Sequence, residues 1–223
     1  MVKPGSKEPP GGVTGGRDGD TERRILDAAH AVFVRTGTAG ARMQEIAREA
    51  GVNSALLHYY FRSKQRLAAA VFLRAAGELF PAVIAILTSK QSLEQKVRAV
   101  VTVELDRLSR APYLPAYIIS ELAHHPERVH QLIAALTGSQ PEALGRTLVR
   151  AVGAQIDAEV RARRLRPIAP QQFLVNLLSL CIFPFAARPL VAGLMGLDDR
   201  AFARFIRDRR RQLPEFVLNA LRP

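Results

Sequence analysis

The stretch from Ile46 to Phe61, IAREAGVNSALLHYYF, constrains the fold of this chain more than any other. Apolar residues recur at three and four positions on both sides of Ala50-Gly51-Val52-Asn53, the pattern of two short helices joined by a tight turn. Gly51 supplies the positive φ that reverses the chain, and Ala47 is small where two helices must cross closely. Val52 and Leu57 plug the space between them. Asn53 can cap the second helix, because its side chain accepts from the free N–H groups of the first turn. Together these features define a helix-turn-helix.

The second helix, read from Ser54, divides by the 3.6-residue period. Leu56, Leu57, Tyr60 and Phe61 fall on one side and can pack. Ser54, Ala55, His58 and Tyr59 fall on the other, small at the start and aromatic at the end. In a helix-turn-helix that outward face meets base edges in the DNA major groove. The preceding segment TERRILDAAHAVFVRTG reads as a helix from Thr21 to Gly37, with Ile25, Ala28, Ala29, Val32 and Phe33 inward. Met43, Ile46, Ala47 and Ala50 form the inner side of the next. Ser63 offers a further cap, so a fourth helix begins there and runs to about Thr88.

These residues resemble the TetR family of transcriptional regulators. The likeness runs over residues 21 to 67, through a first helix ending in TG, then IAREAGVN, then LLHYYFRSKQRL. The resemblance implies a DNA-reading domain followed by C-terminal helices that form a ligand pocket and a dimer interface, the fourth helix connecting the two. Carried over position by position, it places Tyr59 and Tyr60 on bases or phosphates. Lys64 holds a phosphate at the next helix N-terminus, and Arg42 and Gln44 touch the DNA backbone. The family often has Ser, Gly and Tyr where this chain has Asn53, Ala55 and His58. His58 replaces a phenol by an imidazole, so base preference is this chain's own.

Strand signals are weak throughout, which predicts an all-α chain. Beyond the fourth helix we expect helices at about 91 to 109, 112 to 124, 126 to 136, 141 to 165, 170 to 187 and 198 to 221, with Pro126, Pro141 and Pro170 in first turns. Residues 1 to 20, rich in Gly, Pro and charge, read as a disordered tail. Residues 21 to 67 form the DNA-binding domain, and 68 to 223 the ligand-binding and dimerisation domain. The run from Phe173 to Gly196 has the length of a membrane span, but Asn176, Pro184, Arg188 and Pro189 interrupt it, which predicts a buried helix with a kinked or broken end.

A net charge of +12 favours polyanionic partners, either nucleic acid or an acidic membrane surface. One cysteine, Cys181, sits in the apolar run LLSLCIFPF and fits a packing role in a reducing cytoplasm. His124, His125 and His130 lack the spacing and cysteines of a metal site, and Glu121 and Glu127 read as surface acids. No phosphate loop, dinucleotide fingerprint or GxSxG occurs. The expected molecule is a ligand-responsive repressor rather than an enzyme, with no cofactor and no membrane association. A basic membrane-surface protein and a helical enzyme are the alternatives.

One reading helix covers only a few base pairs, so a homodimer on a near-palindromic operator is expected. The segment 170 to 187 is apolar nearly all round and should pair with 141 to 165, or with 198 to 221 in that place. In PYLPAYIISELAHH, Tyr113, Tyr117, Ser120 and His124 form a stripe both aromatic and polar, suited to the wall of a pocket for a mainly apolar effector.

Overall fold

The computed structural model describes residues 15–223. These form eleven α-helices and no strand, and fall into two compact units that divide between Val71 and Phe72. The first unit holds α1 (Gly15–Gly40), α2 (Met43–Glu49), α3 (Ser54–Phe61) and the start of α4 (Lys64–Thr88). Its interior is built from Ile25, Ala29, Val32, Phe33, Ile46 and Leu57, all at most 1% exposed. Arg35 binds Glu45 at 2.9 Å on the surface and joins α1 to α2.

The first helix starts earlier than its sequence pattern indicates. Residues 15–20, expected to belong to a disordered tail, are helical, and the rest of that expected tail lies outside the described residues. The cause is long-range: the Tyr60 hydroxyl on α3 donates to the Asp18 carboxylate at 2.9 Å. At the other end Gly37, with φ 69° and ψ 159°, interrupts α1 where the TG signal placed its stop.

The second unit contains the rest of α4, then α5 (Leu93–Arg110), α6 (Leu114–His124), α7 (Arg128–Thr137), α8 (Pro141–Arg161), α9 (Pro170–Ala186), α10 (Arg188–Met195) and α11 (Asp199–Ala220). α5 is the central helix, with α8, α9 and α11 packed on it. It starts at a reciprocal cap, Ser92 accepting from the Gln95 N–H while the Gln95 side chain accepts from the Ser92 N–H. Two cations of α5 hold α4. Lys96, 1% exposed, donates to the Leu87 carbonyl at 2.8 Å near the end of α4. Arg107 donates to the carbonyls of Glu78 and Leu79, beside Pro81, which has no N–H to give to the preceding turn.

Two features depart from the sequence reading, and a third, the expected broken end of the long apolar run, brings in a helix that reading did not include. α8 stops at Arg161 rather than 165, because Arg163 is left-handed (φ 55°) and the N–H groups of Arg164 and Leu165 both turn back to the Glu159 carbonyl. Pro126 lies in the turn before α7 rather than in its first turn. The apolar run from Phe173 breaks at Ala187 into α9 and α10, bent by 73°, and Pro189 begins the second piece at a position where proline fits. By length and composition alone α4 also meets the requirement for crossing a bilayer; it buries Leu67, Val71, Phe72, Ala75, Leu79 and Val83 within the protein.

Candidate nucleic-acid interface

The turn between α2 and α3 is closed by Gly51, whose φ is 64°, and by the Val52 N–H donating to the Ala47 carbonyl at 3.0 Å. Only a residue without Cβ reaches that conformation cheaply. Asn53 caps α3 as its sequence position indicates, accepting from the Leu56 N–H at 2.7 Å. Leu57 and Phe61 are buried, and Leu56, Tyr60 and Val52 are half-buried. Rotation of α3 about its axis is therefore set by one apolar side and one cap.

That setting leaves Ser54, Ala55, His58 and Tyr59 exposed together. Tyr59 is 76% exposed, a large aromatic surface for a side chain with nothing to cover it. Its ring meets Tyr60 edge-on at 5.5 Å, which fixes its direction. One nitrogen of the His58 ring lies 3.4 Å from the Arg62 carbonyl, and the other edge of the imidazole points away from that contact. Arg42 and Gln44 are exposed at the start of α2, Arg42 as an extended N-cap residue whose side chain makes no cap bond. Exposed Arg48, Arg62 and Arg66 add positive charge to the same unit.

Tyr60 and Lys64 have internal partners. Burial, then the Asp18 hydrogen bond, raise the Tyr60 pKa above its ordinary value, so it stays a neutral donor. The Lys64 ammonium donates to the carbonyls of Ala39 and Ala41 at 2.9 and 3.1 Å, closing the loop between α1 and α2. The Ser63 hydroxyl accepts from the Arg66 N–H at 3.3 Å in the first turn of α4.

In the second unit the stripe on α6 does not share one environment. Tyr117 is 7% exposed and burial pushes its phenol up to about 12, offset in part by Arg128. Tyr113 is 41% exposed, Ser120 and His124 are exposed, and a His124 ring nitrogen lies 2.8 Å from the Ser120 carbonyl. Glu121, read from sequence as a surface acid, is buried in an ion pair with Arg128, whose guanidinium lies 5.8 Å over the Phe72 ring of α4. Its partner sits on a different helix, which periodicity cannot reveal. Cys181 is fully buried and its thiol is pushed up to about 12 by burial, so it packs and does not react. Clefts of about 470, 220 and 310 Å³ open along this unit, with walls made by other residues than the stripe.

Known proteins share both the local motif and the fold. The family model described as "Bacterial regulatory proteins, tetR family" matches residues 25–71. The HTH-type transcriptional regulator BetI of Rhizobium meliloti (strain 1021) is 30% identical over 183 residues, which cover 82% of this chain and 76% of that protein. The HTH-type transcriptional activator FasR of Mycolicibacterium smegmatis is 39% identical over 105 residues, 46% of this chain and 48% of that one. Among solved structures, the transcriptional regulator SCO4942 of Streptomyces coelicolor superposes with a TM-score of 0.61 at 23% identity, covering 91% of this chain and 99% of that chain.

Proposed function

Because the chain belongs to the TetR family of transcriptional regulators, we propose that it is a repressor released from its operator by a small, mainly apolar molecule. Family membership makes it a DNA-binding regulator and not an enzyme. The observation that carries the reading is the outward face of α3, with Tyr59 76% exposed beside His58. Ser54, Ala55, His58 and Tyr59 read base edges, Ala55 offering its methyl to thymine. Arg42 and Gln44 hold the DNA backbone. Tyr60 and Lys64 stand at the rim and take phosphates by exchanging their present internal bonds.

The active form is a cytoplasmic homodimer on a near-palindromic site. α9 forms the interface, and exposed apolar area favours α11 over α8 as its second helix. Val175 and Phe183 on α9 and Phe216 on α11 are exposed, and the groove of about 470 Å³ between these helices is lined by Leu180, Phe205, Leu213 and Phe216. Among the described residues, α8 exposes no large apolar side chain.

The effector site includes Tyr113, Tyr117, Ser120 and His124. Support comes from the contact chain behind Tyr117: Arg128 beside it packs over Phe72 on α4, the helix that enters the first unit. A ligand preferring one position of α4 by a few kcal/mol shifts the population away from the DNA-binding form. Repression is the sense in which that shift releases a promoter, whereas FasR is an activator.

Selection of bound fragments from genomic DNA tests the whole reading and names the regulated promoters. On the selected operator, Tyr59→Ala and His58→Ala should each weaken binding by about 1 to 3 kcal/mol and relax base preference. Full operator affinity in both variants would remove α3 as the reader. Tyr117→Ala and Tyr113→Phe should keep operator binding and lose ligand release; normal release in both would remove the stripe from the sensor.

A further inference from the structure

The second unit carries a cleft separate from both the α6 stripe and the α9–α11 groove. It lies where the end of α5, the junction of α9 with α10, and the first half of α11 meet, and holds about 220 Å³. Its floor is apolar: Phe185, Phe202 and Ile206 are at most 5% exposed, and the two rings meet edge-on at 5.9 Å. Two arginines line it as well. Arg188 lies 4.8 Å above the Phe202 ring, and Arg207 lines the opening with no ion-pair or side-chain hydrogen-bond partner among the described residues.

We propose that this cleft binds a small organic carboxylate with an aromatic or compact aliphatic body. Its volume is below that of sites for drug-sized ligands, so the body is small. Charge selects an anion. Arg188 binds the Asp199 carboxylate at 2.9 Å, but that side chain is 97% exposed, so water screens the bond and a ligand carboxylate can replace it. The Ser109 hydroxyl proton is committed to the Leu105 carbonyl at 2.6 Å, which leaves the guanidiniums as the groups that recognise the ligand. An arginine fork matches a carboxylate with two parallel hydrogen bonds, while a bare inorganic anion would leave the aromatic floor uncovered.

The cleft remains open in the dimer proposed above. At 100° per residue, Ala203 and Arg207 lie on the opposite flank of α11 from Phe205, Asp208 and Gln212, which line the α9–α11 groove. The site therefore stands independently of whether the α6 stripe senses an effector.

Calorimetric titration of the full chain with phenylacetate, phenylacetamide and inorganic phosphate tests the proposal. Phenylacetate should bind once per chain, with the amide and phosphate weaker by about tenfold or more. Arg207→Gln and Arg188→Gln should each weaken phenylacetate by a similar factor, Ala203→Leu should fill the cleft and abolish binding, and Tyr117→Ala should leave it unchanged. Ala203 and Arg207 are both exposed, so their variants decide the matter even if Arg188→Gln proves unstable in a melting scan. No saturable binding at millimolar phenylacetate, equal affinity in the Arg207 and Ala203 variants, loss in Tyr117→Ala alone, or phosphate binding as tight as phenylacetate would each overturn the assignment. So would an Arg207→Gln chain that dissociates by light scattering with phenylacetate affinity intact, which would make the arginines a subunit contact.

Discussion

The two units treat charge in opposite ways. Among the described residues of the first, the interior is apolar and the ion pairs, such as Arg35 with Glu45, lie at the surface. In the second, Lys96, Glu104, Glu121 and Arg128 are all buried. An apolar interior is specified by shape, and packing one way is enough to aim the outward face of α3. A buried ion pair adds little net stability over an apolar replacement but makes one arrangement much better than its broken alternatives. The first unit is set by shape, and the second, which the function proposed above makes the ligand sensor, is set by pairing.

The largest test of that difference is Arg128→Met, which leaves the Glu121 carboxylate buried without its cation. The second unit should lose about 3 to 5 kcal/mol in urea unfolding, and Arg128→Met combined with Glu121→Met should recover most of it. A small loss in the single variant would show that water reaches Glu121 and that pairing does not set this unit.

Next is Glu104, 4% exposed, whose Oε1 has no hydrogen-bond partner among the described residues. Burial pushes its carboxyl from 4.5 up to about 7, with Arg107 pulling the other way. Because the folded pKa is raised, folding favours the protonated form. The stability this gives is complete below pH 4.5 and is lost as pH rises through about 7, a span worth about 3 kcal/mol. Denaturant midpoints across that range should fall with rising pH in the parent and flatten in Glu104→Gln. Parallel profiles would place the carboxyl in water.

The smallest effect expected belongs to the first unit. Lys64→Ala should weaken operator and non-operator DNA alike and reduce the salt slope by about one unit, the signature of one phosphate contact. An unchanged slope with a lower melting temperature would assign the ammonium wholly to the Ala39 and Ala41 carbonyls.

The same contrast explains what could be read from the sequence. Gly51, Asn53 and the two sides of α3 act within a few residues of one another, so spacing revealed the motif and the face Ser54, Ala55, His58 and Tyr59 together. Two of the failures have distant partners. α1 begins at Gly15 because Tyr60 reaches Asp18, and Glu121 is internal because Arg128 on the next helix meets it. α10 was hidden because Pro189 reads equally as an interruption or as a first turn. The α6 stripe has the right periodicity, yet exposure separates Tyr117 from Ser120 and His124, since a period places residues on a face without saying what lies against each end of it.

The grip of α5 on α4 sets where movement can arise. Lys96 and Arg107 hold the carbonyls of Leu87, Leu79 and Glu78, so α4 is fastened to α5 from its C-terminal end as far back as Glu78. The stretch of α4 ahead of that grip, Lys64 to Gly77, is roughly 20 Å long, so a tilt of about 6° would displace its far end by about 2 Å. A displacement of that size is comparable to hydrogen-bond tolerances, so on the function proposed above a small angular change would suffice to take the α3 side chains out of register with DNA.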